Sequence, residues 1–292
     1  MHHEVKPFLK WAGGKTQILN QIEENFPKEL KEGKIKKYME PFVGGGAVLF
    51  YILQKHDFDE VVINDINEDL ILTYNVIKND VNKLIDELES LRENFLLLDD
   101  DQRKEFYYNV RDEFNKKNNC NEINEIKRVA QFIFLNKTCF NGLYRVNKKG
   151  EFNVPYGRYK NPKIFDEKNL KNASKLLKNV KILCNSFEVI DDYVDDETFV
   201  YFDPPYKPLN KTSSFTSYTK YNFDDNDQIR LAKFYKKLDK KGCKLMLSNS
   251  DNLEFFEKLY GGFNIKKVIA RRIINSKGNK RGEIFELLIL NY

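Results

Sequence analysis

Two short apolar runs near the amino terminus, residues 35–43 and 60–65, are each followed by a polar or glycine-rich turn and then by a helical pattern. Strand, turn and helix in repetition specify an α/β domain, a class that places its sites on the turns beyond the carboxyl ends of the strands. Further strand signals stand at 180–184 (VKILC), 198–202 (TFVYF) and 243–248 (CKLMLS). The segments FNIKKVIARRI and EIFELLILNY, separated by the polar turn SKGNKRG, predict a β-hairpin at the carboxyl end. From about 76 to 136 the period becomes helical: Val81, Leu84, Leu88, Leu91 and Phe95 share one stripe, Phe106, Val110 and Phe114 a second, and Val129, Ile133 and Asn136 a third. The simplest assembly is one α/β domain, residues 1–75 and 179–292, interrupted at 76–178 by a mostly helical insertion that carries a hairpin of its own.

Bulk chemistry narrows the function. A chain of 292 residues with 14% aromatic side chains can bury a full core. Four cysteines, at 120, 139, 184 and 243, include no Cys-x-x-Cys pair and read as reduced cytosolic thiols. No stretch reaches the roughly 18 apolar residues of a membrane span, and no secretory signal is visible, so a cytoplasmic location is expected. His2 and His3 at the terminus and His56 in a polar, surface-like run are a poor supply for a metal site, and none is expected.

Three motifs carry chemistry. The first, Glu40-Pro41-Phe42-Val43-Gly44-Gly45-Gly46, follows a predicted strand and precedes a helix. Glycines there let backbone approach a ligand, but Leu49 stands where a pyrophosphate-binding fingerprint needs its third glycine. Asp65, at the tip of the second strand, is placed to accept hydrogen bonds from ribose hydroxyls. A glycine turn and a ribose acid without pyrophosphate geometry suit an adenosine ligand lacking phosphates, such as S-adenosylmethionine; an ordinary strand-to-helix turn is the alternative.

The second motif is Asp203-Pro204-Pro205-Tyr206, directly after the strand TFVYF. Two prolines fix φ and remove two amide donors, so the turn is stiff and its carbonyls are expected to stay unclaimed. The amino group of an aromatic base is a poor nucleophile because its lone pair is delocalised into the ring. The Asp203 carboxylate and the Pro204 carbonyl together offer acceptors for both amino hydrogens and would draw the nitrogen toward a tetrahedral geometry, with Tyr206 stacked on the base. The third motif, Phe8-Leu9-Lys10-Trp11-Ala12-Gly13-Gly14-Lys15-Thr16, ends like a phosphate-binding loop. Leu9 replaces a required glycine and no strong strand precedes it, which argues against that reading. Trp11 and Lys15 are left as candidates to line the cofactor cleft.

FLKWAGGK, EPFVGGG, NDIN and DPPY, in that order, resemble the Dam-type DNA adenine methyltransferases over essentially the whole chain, from Pro7 to Tyr292. The resemblance implies a Rossmann-like methyltransferase sheet and S-adenosylmethionine as cofactor, contacted by Trp11, Lys15, Asp65 and Asp203 above the loop Gly44, Gly45 and Gly46. It also implies that Asp203, Pro204, Pro205 and Tyr206 are catalytic, on adenine N6 of double-stranded DNA. A cognate restriction endonuclease acting on the same site is a further partner that the resemblance leaves open. Methylation of RNA or of a protein glutamine amide, and a non-catalytic DNA-binding module, are the other classes weighed. A zinc base deaminase lacks its ligands altogether.

The insertion supplies the DNA side. From Lys137 to Lys163 stand seven basic residues against one acid, Glu151, so the net charge of +5 is concentrated in this window. Phe140, Tyr144, Phe152, Tyr156 and Tyr159 are interleaved with those cations, a nucleic-acid footprint. Asn147-Lys148-Lys149-Gly150 reads as a hairpin turn with glycine in the left-handed position, and Arg145 is suited to a guanine edge. Within the resembled family the segments NGLYR (141–145) and FNVPYGRYKNP (152–162) are most similar to members that read GATC. Carried over by position, Asn141, Leu143, Arg145 and Pro155 lie at the bases, Arg158 and Tyr159 nearer the backbone, and Lys10 also faces DNA. Phe140 stands where some relatives carry tyrosine.

Overall fold

A computed structural model describes residues 4–11, 13–116, 124–208, 223–270 and 284–292. His2, His3, Cys120 and the polar turn at 276–282 lie outside the described residues. The strands are β1 (Lys37–Glu40), β2 (Glu60–Asn64), β3 (Val180–Leu183), β4 (Thr198–Phe202), β5 (Lys244–Ser250), β6 (Asn264–Ala270) and β7 (Ile284–Leu290). They form one sheet of seven strands in the order β3-β2-β1-β4-β5-β7-β6. The first five are parallel, β7 runs antiparallel beside β5, and β6 closes the edge antiparallel to β7. This is a mixed α/β architecture of the kind the resemblance implies, with the expected hairpin at its carboxyl end.

The helices are α1 (Leu19–Glu24), α2 (Lys28–Lys31), α3 (Ala47–Leu53), α4 (Glu68–Leu96), α5 (Asp100–Asn115), α6 (Glu125–Thr138), α7 (Glu167–Leu177), α8 (Asp225–Lys240) and α9 (Leu253–Tyr260). Alternating strand residues feed two apolar layers. Tyr38, Ile63, Phe199, Tyr201 and Leu288 pack with Ile22 of α1, Phe50 of α3, Tyr74 of α4 and Leu177 of α7. Met39, Val62, Val200, Phe202 and Leu287 pack with Tyr235 of α8 and Tyr260 of α9. All five residues of β4 are buried, as expected of a central parallel strand covered on both faces.

The expected boundary at 76 falls within α4, whose 29 residues are two helical stretches joined across a kink at Asp80 (φ −133°, ψ 33°). Asn67 caps its start by accepting a hydrogen bond from the Leu70 amide at 3.0 Å. An ion pair of low exposure, Arg128 to Asp69 at 2.7 Å, ties the start of α4 to α6, and Arg128 also donates to the Phe114 carbonyl. The segment after α6 folds back on itself through bridges Cys139↔Tyr156 and Val146↔Phe152. Its turn has Gly150 at φ +81°, the left-handed geometry expected there. His56, expected at the surface, is half-buried edge-on against Phe26.

The strand order reverses between β1 and β4, which are neighbours although their successors lead to opposite sides. The turns after these two strands therefore flank one crevice, where ligands bind in open α/β sheets. EPFVGGG leaves β1 and DPPY leaves β4, both at that crevice.

Candidate active site and nucleic-acid interface

At the end of β4, the Asp203 carboxylate meets the ammonium of Lys15 at 2.8 Å, and the Lys15 side chain is only 3% exposed. A short 3-10 turn over Lys15–Gln17 carries the lysine inward. Lys15 also donates to the Gly13 carbonyl and lies 4.5 Å from the centroid of the Tyr206 ring. Burial pushes the Asp203 carboxyl up to about 6; Lys15 opposes the rise and the Glu286 carboxylate adds to it. Glu40, the last residue of β1, is buried and accepts a hydrogen bond from the Tyr38 hydroxyl at 2.9 Å. Burial holds the Glu40 carboxyl well above the usual carboxylate range, and the neighbouring Asp203 and Asp65 reinforce the shift.

Beside this pair the glycine turn is shaped by contacts that exclude side chains. Gly46 caps α3 in the left-handed conformation (φ +75°), and a Cβ there would stand 2.5 Å from the Tyr74 hydroxyl. Tyr74 uses that hydroxyl to donate to the Gly44 carbonyl at 2.9 Å. A Cβ on Gly45 would lie 3.0 Å from the Cβ of Trp11, so the indole segment rests directly on the loop. Asp65 accepts from the Gly44 amide at 3.1 Å and from the Asn67 amide at 3.0 Å. Burial raises its pKa while these amides restrain the rise. Each carboxylate oxygen has a second lone pair, so Asp65 can latch the loop and still accept from a ligand hydroxyl. Hydroxyl acceptor, side-chain-free backbone, a flat indole and a carboxylate against a lysine suit the polar and cationic parts of S-adenosylmethionine.

The turn itself is pinned. Gln228 of α8 donates to the Pro205 carbonyl at 3.0 Å, so the expectation of two unclaimed proline carbonyls is corrected for Pro205. Among the described residues no donor reaches the Pro204 carbonyl. The Tyr206 hydroxyl donates to Glu286 of β7 at 2.6 Å. Downstream, Lys207 is fixed by Asn249 and Ser250 at the end of β5.

On the hairpin, outward and inward residues alternate. Asn141 and Arg145 are exposed and Leu143 half-buried, whereas Gly142, Tyr144 and Val146 are buried. Arg145 is held by Asn153 through both the side-chain oxygen (2.8 Å) and the carbonyl (3.1 Å). Pro155 is exposed, and its carbonyl accepts from the Phe140 amide at 2.8 Å. Arg158, at φ +52°, is paired with Asp100 at 2.8 Å. Tyr159 lies beneath the ammonium of Lys10, 4.9 Å from its ring centroid. The five rings interleaved with the cations divide between core and surface. Tyr144, Phe152 and Tyr156 are core, and only Phe140 and Tyr159 keep accessible surface. Apolar burial outweighs ring availability where strand alternation turns a side chain inward.

The two groups of residues touch through the amino-terminal segment. Asn136 of α6 clamps the Lys10 backbone, accepting from its amide and donating to its carbonyl, each at 2.8 Å. Tyr144 stacks on Trp11, with centroids 5.1 Å apart and planes at 23°.

The family model described as D12 class N6 adenine-specific DNA methyltransferase matches residues 11–274. The chain belongs to that family. It is 78% identical over 290 residues to the Type II methyltransferase M.MjaIII of Methanocaldococcus jannaschii, covering 99% of this chain and 100% of the relative. It is 42% identical to the Type II methyltransferase M1.LlaDCHI of Lactococcus lactis subsp. cremoris, covering 99% of this chain and 96% of that protein. To the DNA adenine methylase of Escherichia coli K12 it is 35% identical, over 98% and 95% of the two chains. The protein is thus an adenine-specific DNA methyltransferase, and S-adenosylmethionine is its methyl donor. Among the described residues no helix is long and apolar enough to cross a membrane.

Sequence reasoning missed four residues around this site: Glu286, Gln228, Asn136 and the inward role of Tyr144. Glu40 opens its motif in sequence and is a buried acid in the fold. Its position as the last residue of an apolar strand was the available signal.

Proposed function

We propose that this enzyme methylates N6 of adenine within GATC in duplex DNA, by flipping the base out and transferring the methyl directly. The observation that carries this reading is the pairing, on one pinned turn, of the Asp203 carboxylate with a Pro204 carbonyl that no donor among the described residues reaches. Those two oxygens accept the two amino hydrogens of adenine and localise its lone pair, while Tyr206 stacks on the ring. S-adenosylmethionine, when bound, supplies an electrophilic methyl on a sulfonium. Trp11, Lys15, Asp65 and the loop Gly44 to Gly46 hold it beside the turn. The duplex buries the adenine amino group, so extrusion is required; its cost of a few kcal/mol is offset by stacking in the pocket.

Residues 76–178 act as the target-recognition unit. Asn141, Leu143, Arg145 and Pro155 read the bases, and Lys10, Arg158 and Tyr159 grip the strands near them. Exposure of the Arg145 guanidinium and its anchoring by Asn153 support a fork aimed at a guanine edge. The words "Type II" in the names of two relatives support a place beside a restriction endonuclease that cuts the same site, in the cytoplasm. Incubation with GATC and near-cognate duplexes, followed by methyl-adenine mapping, tests the target. Labelling confined to GATC is expected, and equal labelling of both sets rejects the assignment.

A further inference from the structure

Glu286 is the charged residue of an otherwise apolar strand, Ile-Phe-Glu-Leu-Leu-Ile-Leu, and it lies opposite Ser250 at the carboxyl end of β5. Because β7 runs antiparallel to its neighbours, its first residues reach the edge where the parallel strands end. That edge is the one from which the DPPY turn projects. There the carboxylate accepts the Tyr206 hydroxyl at 2.6 Å, a short charge-assisted contact. Tyr206 keeps one ring face under the Lys15 ammonium and remains partly exposed.

We propose that Glu286 is a positioning residue of the methyl-transfer site, holding the Tyr206 ring by its hydroxyl at the angle a stacked adenine requires. The proposal rests on the reading that Tyr206 stacks on the target base. A tyrosine ring has two torsions; packing on one face restrains it weakly, and a fixed hydroxyl removes the remaining freedom. Proximity and orientation of this kind act on the rate rather than on duplex affinity. Glu286 has a second, measurable consequence. The groups facing Asp203 are Lys15 from the amino-terminal segment, Tyr38 and Glu40 from β1, Tyr201 from β4, Tyr206 on its own turn and Glu286 from β7. Of the two that act most directly on the Asp203 carboxyl, Lys15 lowers its pKa and Glu286 raises it.

The test uses the full chain with a GATC duplex and single-turnover methylation, in the variants E286A, E286Q, Y206F and Y206A. E286A should slow the methylation step about tenfold while leaving the duplex Kd nearly unchanged. E286Q, whose amide oxygen still accepts from Tyr206, should recover most of that rate. It should also move the acid limb of the pH–rate profile to lower pH, because a negative charge beside Asp203 is gone. Adding E286A to Y206F should cost nothing further, since both remove one contact. A duplex with 2-aminopurine at the target position should show weaker quenching of the flipped base in E286A than in the parent enzyme. Parent rates in E286A with an unmoved acid limb in E286Q overturn the proposal, as do effects of E286A and Y206F that simply add. If E286A fails to fold, the rate and 2-aminopurine signal of Y206F decide, because that variant removes the same contact from its other end. Y206A separates the two readings: parent turnover there defeats the stacking role itself, whereas a crippled Y206A beside an unaffected E286A defeats only the role of Glu286.

Discussion

The Trp11 indole lies on the Tyr144 ring, 5.1 Å between centroids and 23° between planes, and it rests at the same time on the glycine turn after β1. Trp11 belongs to the segment assigned to the cofactor, and Tyr144 stands between Leu143 and Arg145 on the segment assigned to DNA. One pair of rings therefore forms a wall common to both. Replacing Tyr144 by leucine should cost about 1–3 kcal/mol of stability, from lost stacking and an imperfectly filled space. It should also weaken S-adenosylmethionine binding several-fold, because the indole loses its backing. Tyr144→Phe, which keeps the ring but gives up the hydroxyl's hydrogen bond with Asn67, should preserve cofactor affinity and cost about 1 kcal/mol of stability. Thermal melts and calorimetric titration of the cofactor check this, and normal cofactor affinity in the leucine variant would remove Tyr144 from the wall.

Asp203→Ala should abolish nearly all turnover and leave duplex binding largely intact, measured by initial rates and gel shift; retained turnover would mean that the acceptor is misassigned. Only the ionised carboxyl offers both oxygens as charged acceptors, since protonation makes one of them a donor, and burial pushes the group up to about 6. Activity should accordingly be full above that value and decline about tenfold per pH unit below it. On stability the sign is reversed. A carboxyl raised from 3.8 to about 6 contributes stability below 3.8 that is lost as the pH rises through about 6. Mild acid should therefore silence this site without that residue weakening the fold. A rate profile flat down to pH ~5 would contradict the assignment.

Gly46→Ala places a methyl group 2.5 Å from the Tyr74 hydroxyl in a backbone region that L-residues avoid. Left-handed strain and overpacking together should cost about 2–4 kcal/mol. The Tyr74 hydrogen bond to Gly44 should fail with it, loosening the cofactor turn. Denaturant melts and cofactor titration measure both effects. A variant as stable as the parent would show that the turn can relax.

Arg145→Ala should relax selectivity at one base pair by roughly 1–3 kcal/mol while lowering overall affinity less. Methylation rates on duplexes varied one position at a time locate that base. A uniform loss across all positions would instead place Arg145 on phosphates.

The sheet was largely legible because its strands are short apolar runs ending in chemically distinctive turns. TFVYF before DPPY and the run before EPFVGGG each announce a strand, a stop and a site within a dozen residues. What stayed hidden are contacts between distant residues. Glu286 reaches Tyr206 across 80 positions, and Asn136 reaches Lys10 across 126. Periodicity carries no trace of such pairs. The rings of the basic window are a related case: composition does not tell which of the five face outward, and only the folded alternation turns Tyr144, Phe152 and Tyr156 into the core. The claim on Pro205 by Gln228 likewise needs α8 in place against the turn.

Helix α4 starts three residues after Asp65, runs through residue 76, and leaves helical geometry only at the kink at Asp80 before resuming to Leu96. At 1.5 Å per residue the stretch before the kink, Glu68 to Asn79, spans about 18 Å, a strut rooted beside Asp65 and tied to α6 by the Asp69–Arg128 ion pair. Chimeras that exchange recognition units between relatives at residue 76 would saw this strut in half. Junctions placed in the loops before Asn67 and after Lys178 would transplant it whole, together with the leverage it gives the nucleotide pocket over the reading surface.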